Sequence, residues 1–229
     1  MKFTFGIITD GTQTARVVKI IESIYKQMID VFEIIVVGGE RFDGDYLTHI
    51  PFDESKKPKW ITKKKNIVTE NALYDNIVYL HDYITFLPNW YRGYREFGDE
   101  WDICMNKILN YNGSRFRDWC IWADKDHIND SRHNREPGVR SNIIDRILAP
   151  YEYTNIENMY ISGAYFVVKK YVMEKFPLDE NLVWGQGEDV KWSGEVLLEG
   201  NCKYVMNTNS CVKLMKPKDV CARVYTEQK

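Results

Sequence analysis

The sequence predicts an α/β fold built on a mostly parallel sheet, and the first 40 residues provide the evidence. Phe3–Ile8 is an apolar run rich in β-forming residues that ends at Thr9-Asp10-Gly11. Apolar residues recur at helical spacing over residues 17–28, and Phe32–Val37 is a second apolar run closed by Gly38-Gly39. Neither run alternates polar and apolar residues, which is typical of parallel strands covered on both faces.

The later elements follow from the same reasoning. Thr12 or Thr14 is placed to cap the first helix, and Gly200 ends a late one. Residues 43–60 are expected to be loop, and residues 114–145 are polar, aromatic and irregular. The other patterns predict helices at 61–73, 88–97 and 188–199 and one ending near 176, and strands at 76–80, 101–109, 159–168, 203–206 and 210–215.

The composition is that of a globular protein and excludes several classes. The 229 residues carry 31 Lys and Arg against 33 Asp and Glu, so the chain as a whole lacks a charge suited to nucleic acid. Its longest apolar stretch, within residues 160–168, is far below the roughly 20 residues of a membrane span, so we expect no integral membrane segment. Five cysteines without a CxxC pair indicate a reducing compartment, and we expect a cytoplasmic protein.

A lysine cluster occupies residues 56–65, which contain no acid. Its members are Lys56, Lys57, Lys59, Lys63, Lys64 and Lys65. This charge density favours phosphate or another polyanion, and the cluster lies between two predicted core strands, near the edge where parallel sheets bind ligands. A solvated loop is the alternative.

Two acidic positions carry the predicted chemistry. Asp82 directly follows an apolar strand, where one carboxylate can hold Mg²⁺ or Mn²⁺ together with phosphate oxygens. Glu188 and Asp189 follow a glycine-rich turn and open a helix, whose N-terminus stabilises an ionised carboxylate that can act as a general base. Simple turn or helix capping is the alternative at both places.

The aromatic segment 111–127 is a candidate sugar-binding surface. It alternates aromatic residues, acids and arginines, which suit stacking on sugar rings and hydrogen bonding to hydroxyls. Asp124, Asp126 and His127 could also bind a metal, although their spacing matches no defined ligand pattern. A polar loop is the default interpretation.

In chain order, these segments resemble the GT-A glycosyltransferases, and family 2 of that group most. The family opens with a strand, a polar turn with an Arg, a helix ending in Ser-x-x-x-Gln and a Glu-Ile-Ile-Val-Val strand. A basic-plus-Asn motif, an acidic metal motif, a Gly-Ala strand and a Glu-Asp-Val motif follow. The matching positions here are 7–10, Arg16, 23–27, 33–37, 64–66, 78–82, 88–90, 162–164 and 187–190.

The resemblance implies a GT-A fold, with a central mixed, mostly parallel sheet flanked by helices. It also implies one domain over residues 1–229, in which 1–100 bind the nucleotide sugar and 101–229 the acceptor. The abrupt end of the sequence is what we would expect of one module of a longer protein.

The activity that the resemblance implies is metal-dependent transfer from a nucleotide-diphosphate sugar, UDP-sugar in particular, to a hydroxyl of a glycan or glycoside. Asp82 would bind Mn²⁺ or Mg²⁺, Asp189 would be the base of an inverting reaction, and Glu188 would help to position donor or acceptor. The other implied contacts are Thr9, Asp10, Glu40, Lys64, Asn66 and His81 to the donor, and we expect Trp119, Trp122 and Asp124 to contact the acceptor.

Three departures from the family pattern affect these expectations. Gly38-Gly39 replaces the acids that usually contact the base, so Glu40 or Asp43 would substitute. The metal motif offers one carboxylate beside His81, which lowers the expected metal affinity and favours Mn²⁺ over Mg²⁺. No His follows residue 133 to serve as a late metal ligand, so Lys213 or Lys216 would neutralise phosphate instead.

Other functions stay open at this point. A sugar-phosphate nucleotidyltransferase has a related sheet, but it usually carries a dense glycine-rich phosphate loop that residues 6–16 lack. A non-catalytic or degenerate carbohydrate-binding domain would explain the reduced metal motif. Retention of configuration is the alternative to inversion.

Overall fold

The computed structural model describes residues 1–122, 146–156, 159–218 and 223–224. Asp124, Asp126 and His127 lie outside these residues, so the predictions made for them stay predictions. Trp122 is described only as the last residue of a strand.

Twelve strands and five helices make up the described part of the chain. The strands are β1 (Phe3–Ile8), β2 (Phe32–Val37), β3 (Leu47–Ile50), β4 (Asn76–His81), β5 (Ile84–Phe86), β6 (Ile103–Leu109), β7 (Cys120–Trp122), β8 (Arg146–Leu148), β9 (Met159–Tyr160), β10 (Tyr165–Lys169), β11 (Tyr204–Leu214) and β12 (Arg223–Val224). The helices are α1 (Thr14–Tyr25), α2 (Ile61–Asn71), α3 (Trp90–Phe97), α4 (Lys170–Lys175) and α5 (Glu188–Glu199).

The main sheet has eight strands in the order β3-β2-β1-β4-β10-β6-β11-β5. Strands β1 to β4 are mutually parallel, and β10 runs antiparallel between β4 and β6. Every residue of β1 and β4 is buried, as the continuous apolar runs predicted. A smaller sheet has the order β12-β8-β7-β9. The predicted α/β class with a mixed, mostly parallel sheet is confirmed.

Several local predictions were wrong for physical reasons. The expected loop 43–60 contains β3, none of whose four residues is fully buried, and its sequence accordingly gives no apolar run. The predicted strand 159–168 breaks at residues 161–164, so that β9 joins the small sheet and β10 the main one. The two late strands are one strand, β11, with a bulge between Asn207 and Cys211.

The predicted cap of α1 is also wrong. Gln13 occupies the N-cap position without a side-chain hydrogen bond, and Thr14 is already the first helical residue. Thr12 instead turns to Asp10, whose Oδ1 accepts hydrogen bonds from its backbone N–H and its hydroxyl.

The topology brings the predicted site segments to one edge of the sheet. Ile8 pairs with His81 at the carboxyl ends of β1 and β4, and Ile8 also pairs with Val37 at the end of β2. Because β10 is antiparallel to β4, its first residue, Tyr165, pairs with Leu80 at the same edge. Residues 9–11, 38–39, 82–83 and 162–164 therefore meet there. In the described part of the chain, no helix is both long and apolar enough to cross a membrane.

Candidate functional site

Asp82 lies directly beyond the last residue of β4, as the sequence predicted. Its Oδ2 accepts a 2.8 Å hydrogen bond from the hydroxyl of Thr9, which follows the neighbouring strand β1. Burial raises the pKa of Asp82, and the hydrogen bond from Thr9 opposes that rise. The carboxylate is thus fixed at the sheet edge in a partly desolvated place that favours a nearby cation.

Asp189 is held by backbone groups at the start of α5. Its Oδ2 accepts a 3.0 Å hydrogen bond from the N–H of Gly163, and its Oδ1 accepts one of 3.0 Å from the N–H of Val190. A Cβ on residue 163 would lie 2.9 Å from the Cβ of Asp189, so only glycine allows this approach. The glycine of the Gly-Ala motif therefore binds the carboxylate of Asp189.

The two acids face the same edge of the sheet. The N–H of His81 donates to the carbonyl of Ala164 across 3.1 Å, one residue from the glycine that binds Asp189. Tyr83 connects the two positions: burial raises the pKa of its hydroxyl, and the charges of both Asp82 and Asp189 act on it. The common edge predicted for these two carboxylates is present.

Glu188 is buried beside Asp189 and completes an acid pair. Burial, followed by the charge of Asp189, raises the pKa of Glu188 to about 7, while Lys65 and Arg117 oppose the rise. Lys65 is buried too, and its Nζ donates a 2.7 Å hydrogen bond to the carbonyl of Gly163. Burial lowers the pKa of Lys65 to about 8 against the opposing charges of the two acids. A carboxyl group with a pKa near neutrality is suited to proton transfer.

Arg117 is one of the site residues that the sequence analysis missed. Its Nη2 lies 3.3 Å from Oδ2 of Asp189, and its guanidinium lies 5.6 Å from the ring centre of Tyr160. The residue has a φ of 27°, which is unusual for a side chain other than glycine. The only sequence signal was a pair of arginines in a segment interpreted as a sugar-binding surface.

Most of the lysine cluster is used inside the protein, which corrects the prediction of a phosphate-binding cluster. Lys57 donates to the carbonyls of Glu180 and Asn181, and Lys63 pairs with the carboxylate of Glu180. Lys56 and Lys59 are exposed. The density of charge predicted a polyanion, whereas partners about 120 positions along the chain neutralise part of it.

Lys64 and Asn66, which the sequence analysis assigned to the same donor site, lie in different parts of the structure. Lys64 is buried, with its Nζ 2.6 Å from the carbonyl of Thr9 and paired with the carboxylate of Glu54. Asn66 instead binds Leu178, donating to its carbonyl across 2.9 Å and accepting from its N–H across 3.0 Å. The amide of Asn66 thus anchors the loop before α5, whereas Lys64 and Lys65 of this motif lie at the site edge.

Glu54 is an acid near the end of β2 that the sequence analysis did not propose. Glu40 is exposed, and Asp43 pairs with Arg41 on the surface. Gly38 leaves room for the carbonyl of Thr9, because a Cβ there would lie 2.3 Å from that oxygen, and Oε1 of Glu54 would be 3.4 Å from the same position. Sequence reasoning missed Glu54 because it follows β3, the strand hidden in the expected loop.

The other predicted donor residues surround Asp82. Asp10 is exposed, and Thr9 is buried beneath it. His81 is buried, and its Nε2 has no hydrogen-bond partner among the described residues. Burial and the charge of Lys65 hold the pKa of His81 well below its ordinary value, so the imidazole is neutral. A neutral imidazole nitrogen is the form that binds metals.

Two late lysines also reach this edge. Lys216 has its Nζ 4.4 Å from the ring centre of Tyr83, and its charge acts on Asp82. Lys218 donates a 2.6 Å hydrogen bond to the hydroxyl of Tyr83. Lys213 pairs with Thr85 between β11 and β5 and is half-buried. Lys216, one of the two late lysines expected near the phosphate, thus lies at this edge, together with Lys218, which the sequence analysis did not propose.

The aromatic acceptor surface needs correction. Trp119 is 2% exposed, packs 4.6 Å from the ring of Tyr204 and donates its indole N–H to the carbonyl of Tyr153. It belongs to the core and presents no ring face to a sugar. Among the tryptophans whose side chains the structure describes, Trp184, four residues before Glu188, is exposed.

Comparison with known proteins identifies the fold. No protein-family model and no curated protein sequence matches the chain. The structure of GalNAc-T7 with UDP, GalNAc and Mn²⁺ matches with a TM-score of 0.65 and 14% identity over 96% of this chain. The structure of S. aureus TarS 1-349 in complex with UDP matches with a TM-score of 0.61 and 15% identity over 93% of this chain.

Both neighbours are GT-A-type glycosyltransferases, and the present chain therefore has the GT-A fold, as predicted. It spans 44% of the GalNAc-T7 chain and 61% of that TarS chain. At 14% and 15% identity, this similarity establishes the architecture but no shared substrate.

Proposed function

We propose that the protein is a metal-dependent glycosyltransferase of the family 2 type, which transfers a sugar from a nucleotide-diphosphate sugar to a hydroxyl of a glycan or glycoside. The observation that carries the proposal is the meeting of Asp82 with the pair Glu188–Asp189 at one edge of a GT-A sheet. UDP-sugar is the favoured donor because UDP is bound in both structural neighbours.

Asp82 and its surroundings fit a cation that the donor helps to coordinate. Within the described ranges, no group of three or more His, Cys, Asp and Glu residues is arranged so that it could hold a metal ion by itself. Asp82 would therefore supply one carboxylate ligand, and diphosphate oxygens and water the others. His81, with its unpaired buried nitrogen, is a second ligand candidate and favours Mn²⁺. When bound, the cation stabilises the negative charge of the departing diphosphate.

The donor would lie along the ends of β1, β2 and β4. Thr9, Asp10, Glu54 and Lys64 border the position proposed for the nucleotide base, on the side of the sheet edge away from Asp189. Glu54 takes the place proposed from sequence for Glu40. Lys216 would add positive charge beside the diphosphate.

Asp189 would accept the proton of the acceptor hydroxyl while the hydroxyl oxygen attacks the anomeric carbon. The bond from that carbon to the diphosphate oxygen breaks on the opposite face, which inverts the configuration. Gly163, Val190 and Arg117 hold the carboxylate in place throughout. Glu188 would position the reacting groups beside it.

A titration of UDP tests the donor site. We expect UDP to bind in the presence of Mn²⁺ and more weakly after the metal is removed by chelation. Asp82→Asn should lose the metal-dependent part of the binding, whereas the surface variant Asp43→Asn should keep it. Release of UDP from UDP-sugars then tests the reaction. Sugar binding without UDP binding would support a non-catalytic carbohydrate-binding domain instead, an alternative favoured only by the single carboxylate of the metal motif.

A further inference from the structure

Trp184 is an exposed aromatic side chain in the loop that leads to the acid pair Glu188–Asp189. Its side chain is 45% exposed, whereas Trp90, Trp101, Trp119 and Trp192 are buried. An exposed indole of this size next to a reaction centre is a natural contact for the apolar face of a sugar ring.

The loop that carries Trp184 is fixed relative to the reaction centre. The N–H of Trp184 donates to the carbonyl of Lys59 across 3.0 Å. The turn that follows is closed by Val183 and Gln186, through hydrogen bonds of 3.1 Å and 2.8 Å. Gly187, with a φ of 76°, then forms the N-cap of α5 directly before Glu188. These hydrogen bonds fix the backbone of the loop relative to the start of α5.

Two ammonium groups accompany this ring. Nζ of Lys59 lies 5.2 Å from the centre of the Trp184 ring, and Nζ of Lys218 lies 6.0 Å from it. Lys218 also donates to the hydroxyl of Tyr83, the residue next to Asp82. Lys218 therefore contacts both the Trp184 ring and Tyr83, which is the neighbour of the proposed metal ligand Asp82.

The placement of Lys59 is not explained by an ion pair. Within the described ranges, no carboxylate forms a salt bridge with it. Its φ of 61° is an uncommon backbone conformation for lysine. The neighbouring Trp60 and Lys57 anchor the segment to the carbonyl of Glu180, which holds Lys59 in this conformation. Positive charge is thus held beside an exposed indole, and no acid of the described part of the chain forms an ion pair with it.

We propose that Trp184, Lys59 and Lys218 form the acceptor subsite and that they select an acceptor whose sugar carries a phosphate group. The indole takes the apolar face of the sugar ring, and the two ammonium groups neutralise the phosphate. This inference rests on the proposed transferase function and names its acceptor class. The donor diphosphate is the other source of phosphate that these lysines could bind, so the test separates the two.

The test uses the whole protein, first titrated with UDP and Mn²⁺ and then saturated with them. Saturation-transfer NMR then measures binding of glucose 6-phosphate and galactose 6-phosphate against the uncharged methyl glycosides of the same sugars. We expect the phosphorylated sugars to bind the UDP-saturated protein about fivefold more tightly than the uncharged ones.

The variants assign this binding to residues. Trp184→Ala should weaken both kinds of sugar, and Lys59→Gln should remove only the advantage of the phosphate. The matched control Lys56→Gln, an exposed lysine of the same cluster, should behave as the wild type. The affinity for UDP should stay unchanged in all three variants. Thermal melts confirm that each variant is folded, and Trp184→Phe should retain part of the binding.

Three results would overturn the acceptor assignment. Equal affinity for charged and uncharged sugars would remove the phosphate preference. If saturation with UDP abolished the binding of the sugar phosphates, or if the Trp184 and Lys59 variants lost affinity for UDP, then Trp184 and the lysines would belong to the donor site. Failure of the unmodified protein to bind UDP at all would refute the proposed function itself, and the acceptor assignment would fall with it.

Discussion

The guanidinium of Arg117 lies against the carboxylate of Asp189, with Nη2 3.3 Å from Oδ2. Arg117 reaches this position from a backbone with a φ of 27°. Backbone strain of this kind costs about 1–3 kcal/mol and persists where neighbouring contacts enforce it. Those contacts are present: Asp118, the next residue, pairs with Arg115 and accepts the hydroxyl of Tyr151. The conformation of the turn at Arg117 therefore places its guanidinium against the carboxylate of Asp189.

This pair leads to a first prediction. Arg117→Gln should lower the rate of the proposed sugar transfer at least about tenfold, because Asp189 loses a donor that fixes its carboxylate. Arg117→Lys keeps the charge but loses the planar donor group, so it should restore the rate only in part. The measurement is kcat at saturating donor, with UDP affinity recorded in parallel. Arg41→Gln, which removes an exposed ion pair with Asp43, is the control. A full rate in Arg117→Gln would rule out a positioning role.

A second prediction concerns Asp189 itself. Asp189→Asn keeps the size of the side chain and an oxygen for the N–H of Gly163, but removes the proton acceptor. Loss of a general base typically costs about 10²-fold to 10⁴-fold in rate, so we expect that loss in kcat with little change in UDP affinity. Steady-state kinetics and a UDP titration on the same preparation provide the two readings. An unchanged kcat would show that another group takes the proton.

The two acids were predictable because they depend on local patterns. Asp82 directly follows an apolar strand and Asp189 opens a helix after a glycine-rich turn, and parallel strands place such positions at a common edge. Arg117 was not predictable, because its role depends on a positive φ and on a contact 72 positions away. No periodicity records either feature.

Burial decided the remaining differences. Trp119 and Trp184 look alike in sequence, yet Trp119 is covered by Tyr204 and Tyr153. The sequence likewise suggests that Lys57 is a solvated charge, whereas in the fold its ammonium group donates to the carbonyl of Glu180, 123 positions away. Composition shows that such residues are present, whereas only tertiary packing shows which of them face solvent.

A third prediction follows from the close approach of Gly163 to Asp189. Gly163→Ala would add a Cβ 2.9 Å from the Cβ and 3.1 Å from Oδ2 of Asp189. We expect the carboxylate to be displaced, with a stability loss of about 1–3 kcal/mol from overpacking and a marked fall in kcat. Urea unfolding and transfer kinetics measure the two effects.

The control for this change is Gly113→Ala. Gly113 has a φ of 88° with no atom near its Cβ position, so the variant should lose stability through backbone strain alone. Its kcat should stay at the wild-type value if stability loss by itself does not affect the site. Equal kcat values for Gly163→Ala and the wild type would contradict the proposal that Gly163 positions the carboxylate of Asp189.

The last prediction concerns pH and uses the raised pKa of Glu188, about 7. Because the folded protein holds this proton more tightly than the unfolded chain, the contribution of Glu188 to stability is full below about pH 4.5 and is lost as the pH rises towards 7. Asp189 adds to the raised pKa, and Lys65 and Arg117 oppose it. Lys65, with a pKa of about 8, changes charge mainly above this range.

Glu188→Gln removes the titrating group and keeps its size, so it isolates this effect. We expect the free energy of unfolding of the wild type to fall relative to that of Glu188→Gln between pH 5 and about pH 7.5. Urea unfolding of both proteins at the two pH values measures the difference, and the exposed Glu40→Gln serves as the control. Parallel pH profiles for the wild type and Glu188→Gln would mean that Glu188 is already ionised at pH 5, and that Lys65 and Arg117 outweigh its burial.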